Sequence, residues 1–444
     1  MSTSRRHMRA RPRAAFVLAA GVALLLVAPL RGGAQTSDDG WNAFLDALVA
    51  AGQTVRDNTP EGDGPVRAEG YRHLIRLVEF TEASFLDDAD PAHPNVQRCP
   101  SKACKIGFDS PDQVYVGVGP ISDAYTYRVF GQRGTADFIS FQVFDNPYGG
   151  PAWMDSDGLR VNADGSWELF LSPTPRGGNW LPTTPSSTQL VIRFTFADWD
   201  TEVEGSVQVE VLGDAASLPV APLQPADFDA RARRLATTLR ATPALFQQLR
   251  RDLYPVNAFA DPDPEAFGLA NAGLPTNVVS PAQYDLAEDE ALIVESADVP
   301  VRFRNIQLGN RWLESLDYAT RQTSLNGAQS WLDRDGVYRF VLAHSDPGVP
   351  NWLDVAGHPQ GTIFMRWNRP PGLDAERPNA YVVKLAELRA HLPAGHPTVT
   401  AEERAATLVR RRQAYNRRTN PAGLELGAAR DPVGSPRLPV LGAR

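Results

Sequence analysis

The sequence predicts a mainly β protein with added α-helix: two related, jelly-roll-like β-sandwich lobes, an N-terminal helical hairpin, a helical linker and C-terminal helices. Three observations carry this expectation. Gly and Pro number 35 and 37 in 444 residues, and breakers at that density imply many short elements joined by turns. From about residue 100 apolar residues recur at every second position, the period of a half-buried strand. The chain also repeats itself at long range. One copy reads Asn162-Ala163-Asp164-Gly165-Ser166-Trp167, then Gly178-Asn179-Trp180-Leu181, then Val191-Ile192-Arg193-Phe194. The other reads Asp333-Arg334-Asp335-Gly336-Val337-Tyr338, then Pro350-Asn351-Trp352-Leu353, then Phe364-Met365-Arg366-Trp367. The order is kept, and the offset drifts from 171 residues at Asp164/Asp335 to 173 at Arg193/Arg366, as small loop insertions produce. The period is far too long for a solenoid. The repeat unit is therefore a whole lobe, and short alternating strands suit a sandwich or jelly roll better than a parallel sheet.

The elements follow in order. Residues 1–34 form a signal-peptide layout: basic Arg5, Arg6, Arg9, Arg11 and Arg13, then a 17-residue uncharged run from Ala14 to Leu30, then small Gly32-Gly33-Ala34. Export by the general route is expected, with a loose twin-arginine resemblance at Arg5-Arg6 and an uncleaved anchor as the alternatives. No stable membrane span is expected after cleavage. Residues 35–99 read as helical, with Trp41, Phe44, Leu45, Leu48 and Val55 on one stripe and Tyr71, Leu74, Ile75, Val78 and Phe85 on the next. Residues 100–220 are the first β lobe, with alternation at Tyr125, Tyr127 and Val129 and at Leu190, Ile192, Phe194 and Phe196. Residues 221–258 are a helical linker in which Thr242-Pro243 opens a fresh turn. Residues 259–383 are the second lobe. Residues 384–419 carry helices, the last opened by a Thr400–Glu403 capping box. The Pro/Gly/Ala/Arg-rich segment 420–444 reads as a disordered tail.

Charge narrows the function. Residues 1–34 hold six Arg and no acid, so the remainder has 38 basic against 52 acidic side chains and a net charge of −14. So acidic a surface does not suit nucleic acid, whose phosphates need neutralising. The two cysteines, Cys99 and Cys104, are close in sequence, and in an exported protein they are expected to pair as a disulfide that pins a local turn. No zinc site is expected from two thiolates alone, no His-Glu-x-x-His run is present, and no metal or cofactor is expected. The sequence contains no Gly-x-Ser-x-Gly elbow, no P-loop and no Gly-x-Gly-x-x-Gly motif, which removes the common serine hydrolases, nucleotide hydrolases and dinucleotide enzymes.

Candidate sites come from the duplication. Asn179, Trp180 and Arg193 in one copy, and Asn351, Trp352 and Arg366 in the other, are ligand-binding candidates if they share a surface, since Trp, an amide and Arg together suit a sugar or a carboxylate. The alternative is scaffold: Trp as a core plug and Asn as a turn former. The second copy adds ionisable groups. His358 oriented by Asp354, or His344 with Asp346, are the catalytic candidates for a hydrolase or lyase.

The blocks Tyr318 to Asn326, Asp335 to Arg339, Asp346 to Asp354 and Gly357 to Gly361 resemble the bacterial family called domain of unknown function 1214. The resemblance is fullest over about residues 300–370, with a weaker copy near 178–194. It implies a jelly-roll-like β domain and no particular activity. The expectation is an exported protein that binds a neutral or weakly anionic small ligand or saccharide. An enzyme with a His/Asp pair and an interaction module without a small-molecule site are the alternatives.

Overall fold

A computed structural model describes residues 38–87, 90–99, 105–145, 150, 152–214, 219–262, 273–368 and 375–419. The signal segment, Cys104 and the tail after Thr419 lie outside these residues, so the cleavage, disulfide and disorder expectations fall there too.

The first lobe contains β1 (Asn95–Cys99), β2 (Gln113–Gly119), β3 (Thr126–Gln132), β4 (Phe138–Asp145), β5 (Trp153–Asp155), β6 (Ser166–Ser172), β7 (Trp180–Pro182), β8 (Ser187–Thr195) and β9 (Gln208–Leu212). They form one sheet of order β1-β2-β8-β4-β5 and another of order β7-β6-β3-β9. The second lobe contains β10 (Ala258–Phe259), β11 (Asn277–Asp285), β12 (Glu290–Ala297), β13 (Phe303–Gly309), β14 (Ser324–Asn326), β15 (Val337–Ala343), β16 (Trp352–Asp354), β17 (Gln360–Asn368) and β18 (Asn379–Lys384). Its sheets run β10-β11-β17-β13-β14 and β16-β15-β12-β18. Each strand of the second lobe is the ninth after its counterpart, and even the parallel pairing of β6 with β7 recurs in β15 with β16. The repeated Asp-Gly turns also agree. Gly165 and Gly336 both sit at positive φ, +81° and +76°, a conformation that favours glycine. The first lobe starts earlier than its sequence suggests, because Asn95–Cys99 pairs with β2 as an edge strand rather than ending a helical segment.

Each lobe has an apolar core between its sheets. Val116, Val129, Phe141, Leu169, Ile192 and Phe194 fill one, and Leu292, Ile306, Phe340, Leu353, Ile363 and Trp367 the other. The five-stranded sheets of the two lobes meet across a seam, where Phe138 of β4 packs edge-on against Phe303 of β13. The alternation in β2, β8, β13 and β17 suggests one wet face, yet the polar side chains Arg193, Asn305 and Gln307 are buried in that seam.

The helices are α1 (Asp39–Asp57), α2 (Gly64–Glu82), α3 (Pro225–Leu253) and α4 (Ala401–Thr419). Asp63 caps α2 by accepting from the Val66 N–H at 2.9 Å. The predicted break at Thr242-Pro243 does not occur: α3 runs through Pro243, held by the packing of Leu235, Leu239, Phe246 and Leu249 on either side. The buried stripe of α1 is Gly40, Ala47, Ala51 and Val55, whereas Trp41 and Val49 are 48% and 69% exposed. Small residues win the interface because α3 approaches so closely that a Cβ on Gly40 would lie 2.6 Å from the Asp229 carbonyl. The capping box is formed: Thr400 N–H donates to Glu403 Oε2 at 2.8 Å and Glu403 N–H to Thr400 Oγ1 at 3.2 Å. The short 3-10 helix Leu385–His391 covers the outer face of the second lobe. Among the described residues no helix is long and apolar enough to cross a membrane.

Candidate functional site

The structure separates the residues that the duplication nominated. Asn351 and Trp352 stand at β16, in the four-stranded sheet, while Arg366 stands on β17, in the five-stranded sheet. Asn179, Trp180 and Arg193 are divided in the same way. No single surface holds either trio.

The Asn side chains are clamps. Asn351 is fully buried, accepts from the Trp331 N–H at 2.7 Å and donates to the Trp331 carbonyl at 2.7 Å. Asn179 does the same to Arg160 at 2.8 and 2.9 Å and adds a bond to the Glu168 carbonyl. Trp352 donates to the Ala343 carbonyl at 3.1 Å and lies under the Arg404 guanidinium. Trp180 donates to Ser172 Oγ at 3.0 Å. Arg193 donates to Gln142 Oε1 at 3.0 Å, and Arg366 to Gln307 Oε1 and to the Phe108 carbonyl, both at 2.6 Å. These six residues hold loops and the seam.

The His/Asp pairs are not formed either. Asp354 binds Arg321 at 2.8 Å and the Ala356 N–H, and Asp346 binds Arg404 at 2.9 Å. His344 Nε2 meets the Leu286 carbonyl at 3.0 Å. His358 Nδ1 meets its own turn, at the Val355 carbonyl, and Nε2 lies 3.1 Å from Glu69 Oε2 on α2. Sequence reasoning missed Glu69 because it stands 289 positions away, on a helix with no motif of its own. Glu69 is also bound by Arg72, which lies 3.6 Å from the buried Glu314. Glu314 in turn binds His73 at 3.2 Å and Arg76 at 2.9 Å. This charged chain fastens α2 to the second lobe.

For His358, burial opposes the charged form, but the hydrogen bond and charge of Glu69 outweigh it and raise the pKa above the ordinary 6.5. The stabilisation is thus fully present below pH 6.5 and lost as pH rises through the folded value. His358→Ala should remove this pH dependence, with a stability difference on the order of 1 kcal/mol at pH 6 that shrinks at pH 9. Urea melts at the two pH values check it. A constant difference would mean that His358 contributes packing alone.

An open groove lies elsewhere, on the outer face of the first lobe's four-stranded sheet. Its volume is about 300 Å³, and its lining includes Arg128, Phe130, Gln132, Asn162, Glu168 and Gln208. Strand alternation sends these side chains outward while Tyr127, Val129 and Leu169 go to the core. A ladder crosses three strands: Arg128 donates to Glu168 on β6 at 2.9 Å and to Glu210 on β9 at 3.0 Å, with its guanidinium 4.4 Å from the Phe130 ring. The hydrogen bonds to Glu168 and Glu210 raise the Arg128 pKa. By register, Ile293 stands in the second lobe where Arg128 stands in the first. There Ile293, Val341, Ala343 and Val383 are covered by Leu388 and Leu392. The duplication has produced one closed apolar face and one open polar face. Among the described residues no cluster of three His, Cys, Asp or Glu is placed to hold a metal ion.

The fold and groove define a two-lobed, internally duplicated β-sandwich protein whose first lobe carries an open groove on its outer face. A crystal structure of an uncharacterized protein from Burkholderia cenocepacia is similar at 33% identity and a TM-score of 0.74, covering 79% of this chain and 98% of that one. The VPA0106 protein from Vibrio parahaemolyticus matches at 11% identity and a TM-score of 0.45, over 78% of this chain and 100% of that one. Among curated proteins nothing matches. The family model described as protein of unknown function (DUF1214) matches residues 135–197. The chain belongs to the DUF1214 family. The matched residues lie in the first lobe and contain the whole of the 178–194 copy, whereas the sequence resemblance is fullest in the second.

Proposed function

We propose that this is an exported protein that binds a small, neutral or weakly anionic, hydroxyl-rich ligand of saccharide type in the open groove of the first lobe. The observation that carries the reading is the contrast between the two outer faces, one sealed by its own chain and the other left polar and concave. Carboxylates at Glu168 and Glu210, amides at Gln132, Asn162 and Gln208, and the Arg128 guanidinium supply acceptors and donors side by side. A hydroxyl both gives and takes hydrogen bonds and suits such a lining. Export rests on the signal-peptide layout of residues 1–34, and the same reading has Cys99 and Cys104 joined in the oxidising compartment.

The test is isothermal titration of the protein, purified from the periplasm with its N-terminus expected near Gln35, against a panel of neutral oligosaccharides. Arg128→Ala and Gln132→Ala should each weaken binding about tenfold, equivalent to about 1.4 kcal/mol. Their melting points should barely move, because exposed ion pairs contribute little to stability. Absence of binding across the panel, or variants that bind as wild type does, would move the assignment to an interaction module.

A further inference from the structure

The helical hairpin carries an exposed apolar face that its own packing does not use. On α1, Trp41, Leu45 and Val49 follow one another at a spacing of four and form a stripe about 12 Å long. On α2, Tyr71 and Ile75 repeat the spacing. All five side chains are between 38% and 69% exposed. Both stripes run beside the line where α1 and α2 meet. Phe44 and Val78 pack into one cluster on that line, and Val55 and Leu74 into the next. The other side of the line is taken by α3, where Ala47 and Leu77 meet Leu235 and Leu239. The two stripes therefore share the solvent side of the hairpin as one surface. Single exposed apolar side chains are ordinary, but five large ones together mark a surface that meets something.

Charge and chain position select the occupant. Residues 38–82 carry nine acidic side chains and four arginines. Asp46, exposed on α1, stands three residues from Val49. A second copy laid face to face would bring two acidic hairpins together and repel. An anionic membrane is disfavoured for the same reason. A lipid surface of no net charge carries neither penalty. Trp and Tyr, each with an apolar body and a polar tip, are the side chains that settle at the headgroup level of a bilayer. The chain also leads this face to such a surface. Eight residues separate Leu30, where the uncharged run of the expected signal segment ends, from Asp39, where α1 begins. Fully extended they reach at most about 29 Å, about the length of α1 itself. A bilayer engaged by that run during export is within reach of the whole stripe.

We propose that the α1–α2 face is a membrane-contact surface that rests on net-neutral phospholipid through Trp41, Leu45, Val49, Tyr71 and Ile75. It stands apart from the groove and does not rest on the ligand assigned there. The experiment is flotation of the purified protein with vesicles of phosphatidylcholine, and with vesicles of phosphatidylglycerol for comparison. Binding to phosphatidylcholine should be reversible and half complete at lipid on the order of 1 mM, since a few half-exposed side chains bury less than an acyl chain does. Binding to phosphatidylglycerol should be weaker at low salt. Leu45→Ser combined with Ile75→Ser should raise the lipid required about tenfold. Val49→Glu, at a position 69% exposed, should act alike without touching the core. Brominated phosphatidylcholine should quench wild type more than Trp41→Phe, which isolates one indole among nine. Protein that stays with the buffer at about ten times that lipid concentration would overturn the proposal. So would equal flotation of wild type and both variants, or a dimer in sedimentation that Val49→Glu dissociates, which would make the face a contact between copies.

Discussion

Glu314→Leu is expected to destabilise the protein by about 3–5 kcal/mol, the cost of removing one partner from a buried ion pair. The Glu314 side chain is fully buried and binds His73, Arg76 and the Asn310 amide, the last at 3.1 Å. Its loss strands the Arg76 guanidinium, 12% exposed, against an apolar wall. Burial alone would raise the Glu314 pKa, but the hydrogen bond and charge of His73, followed by Arg76, outweigh it and hold the carboxyl below its ordinary 4.5. A lowered carboxyl pKa gives stability that is present above pH 4.5 and lost as pH falls through the folded value. Wild type should therefore lose stability in that acid window, and Glu314→Leu should lose much less. Glu314→Gln keeps the shape and part of the hydrogen bonding and should fall between them. Denaturant melts at pH 7 and pH 4 test this. A loss below 1 kcal/mol for Glu314→Leu at pH 7 would show that α2 docks by apolar packing alone, through the buried cluster that Val66 and Leu74 of α2 form with Trp312 of the second lobe.

Asn351→Ala should cost about 1–3 kcal/mol, because it removes a fully buried side chain that satisfies both the N–H and the carbonyl of the half-buried Trp331. The duplication supplies a control. Asn179→Ala removes the same clamp from Arg160 and should cost a similar amount in the first lobe. Asn351→Asp keeps the acceptor and loses the donor, so it should recover part of the loss. The discriminating outcome is a variant of wild-type stability with altered ligand binding, which would return Asn351 to the list of recognition residues.

Much of the architecture was legible in the chain. The ordered blocks around Asn179-Trp180 and Asn351-Trp352 announced two lobes, and every strand of one lobe has its counterpart in the other. Glycine-dependent turns, the Thr400–Glu403 cap and the period of two are local signals, written in neighbouring residues. The site was far less legible. Asp354 and Asp346 lie within a few residues of the histidines, yet their charges are taken by Arg321 and Arg404. Proximity in sequence says little about which partner a charged side chain meets across a fold. The polar face of the five-stranded sheets misled for a related reason. Alternation shows that a strand has two unlike faces, but water and a polar seam produce the same pattern.

The sequence by itself determined the class of fold, the duplication and the turns and caps, because each depends on backbone geometry and side-chain period over a few residues. Only the tertiary structure decided which arginines are buried, that Glu69 meets His358, and that one outer face is sealed while its copy stays open. Those outcomes depend on pairings between distant segments, 289 positions apart for Glu69 and His358, where the energy of a charge is set by what packs around it rather than by its neighbours in the chain.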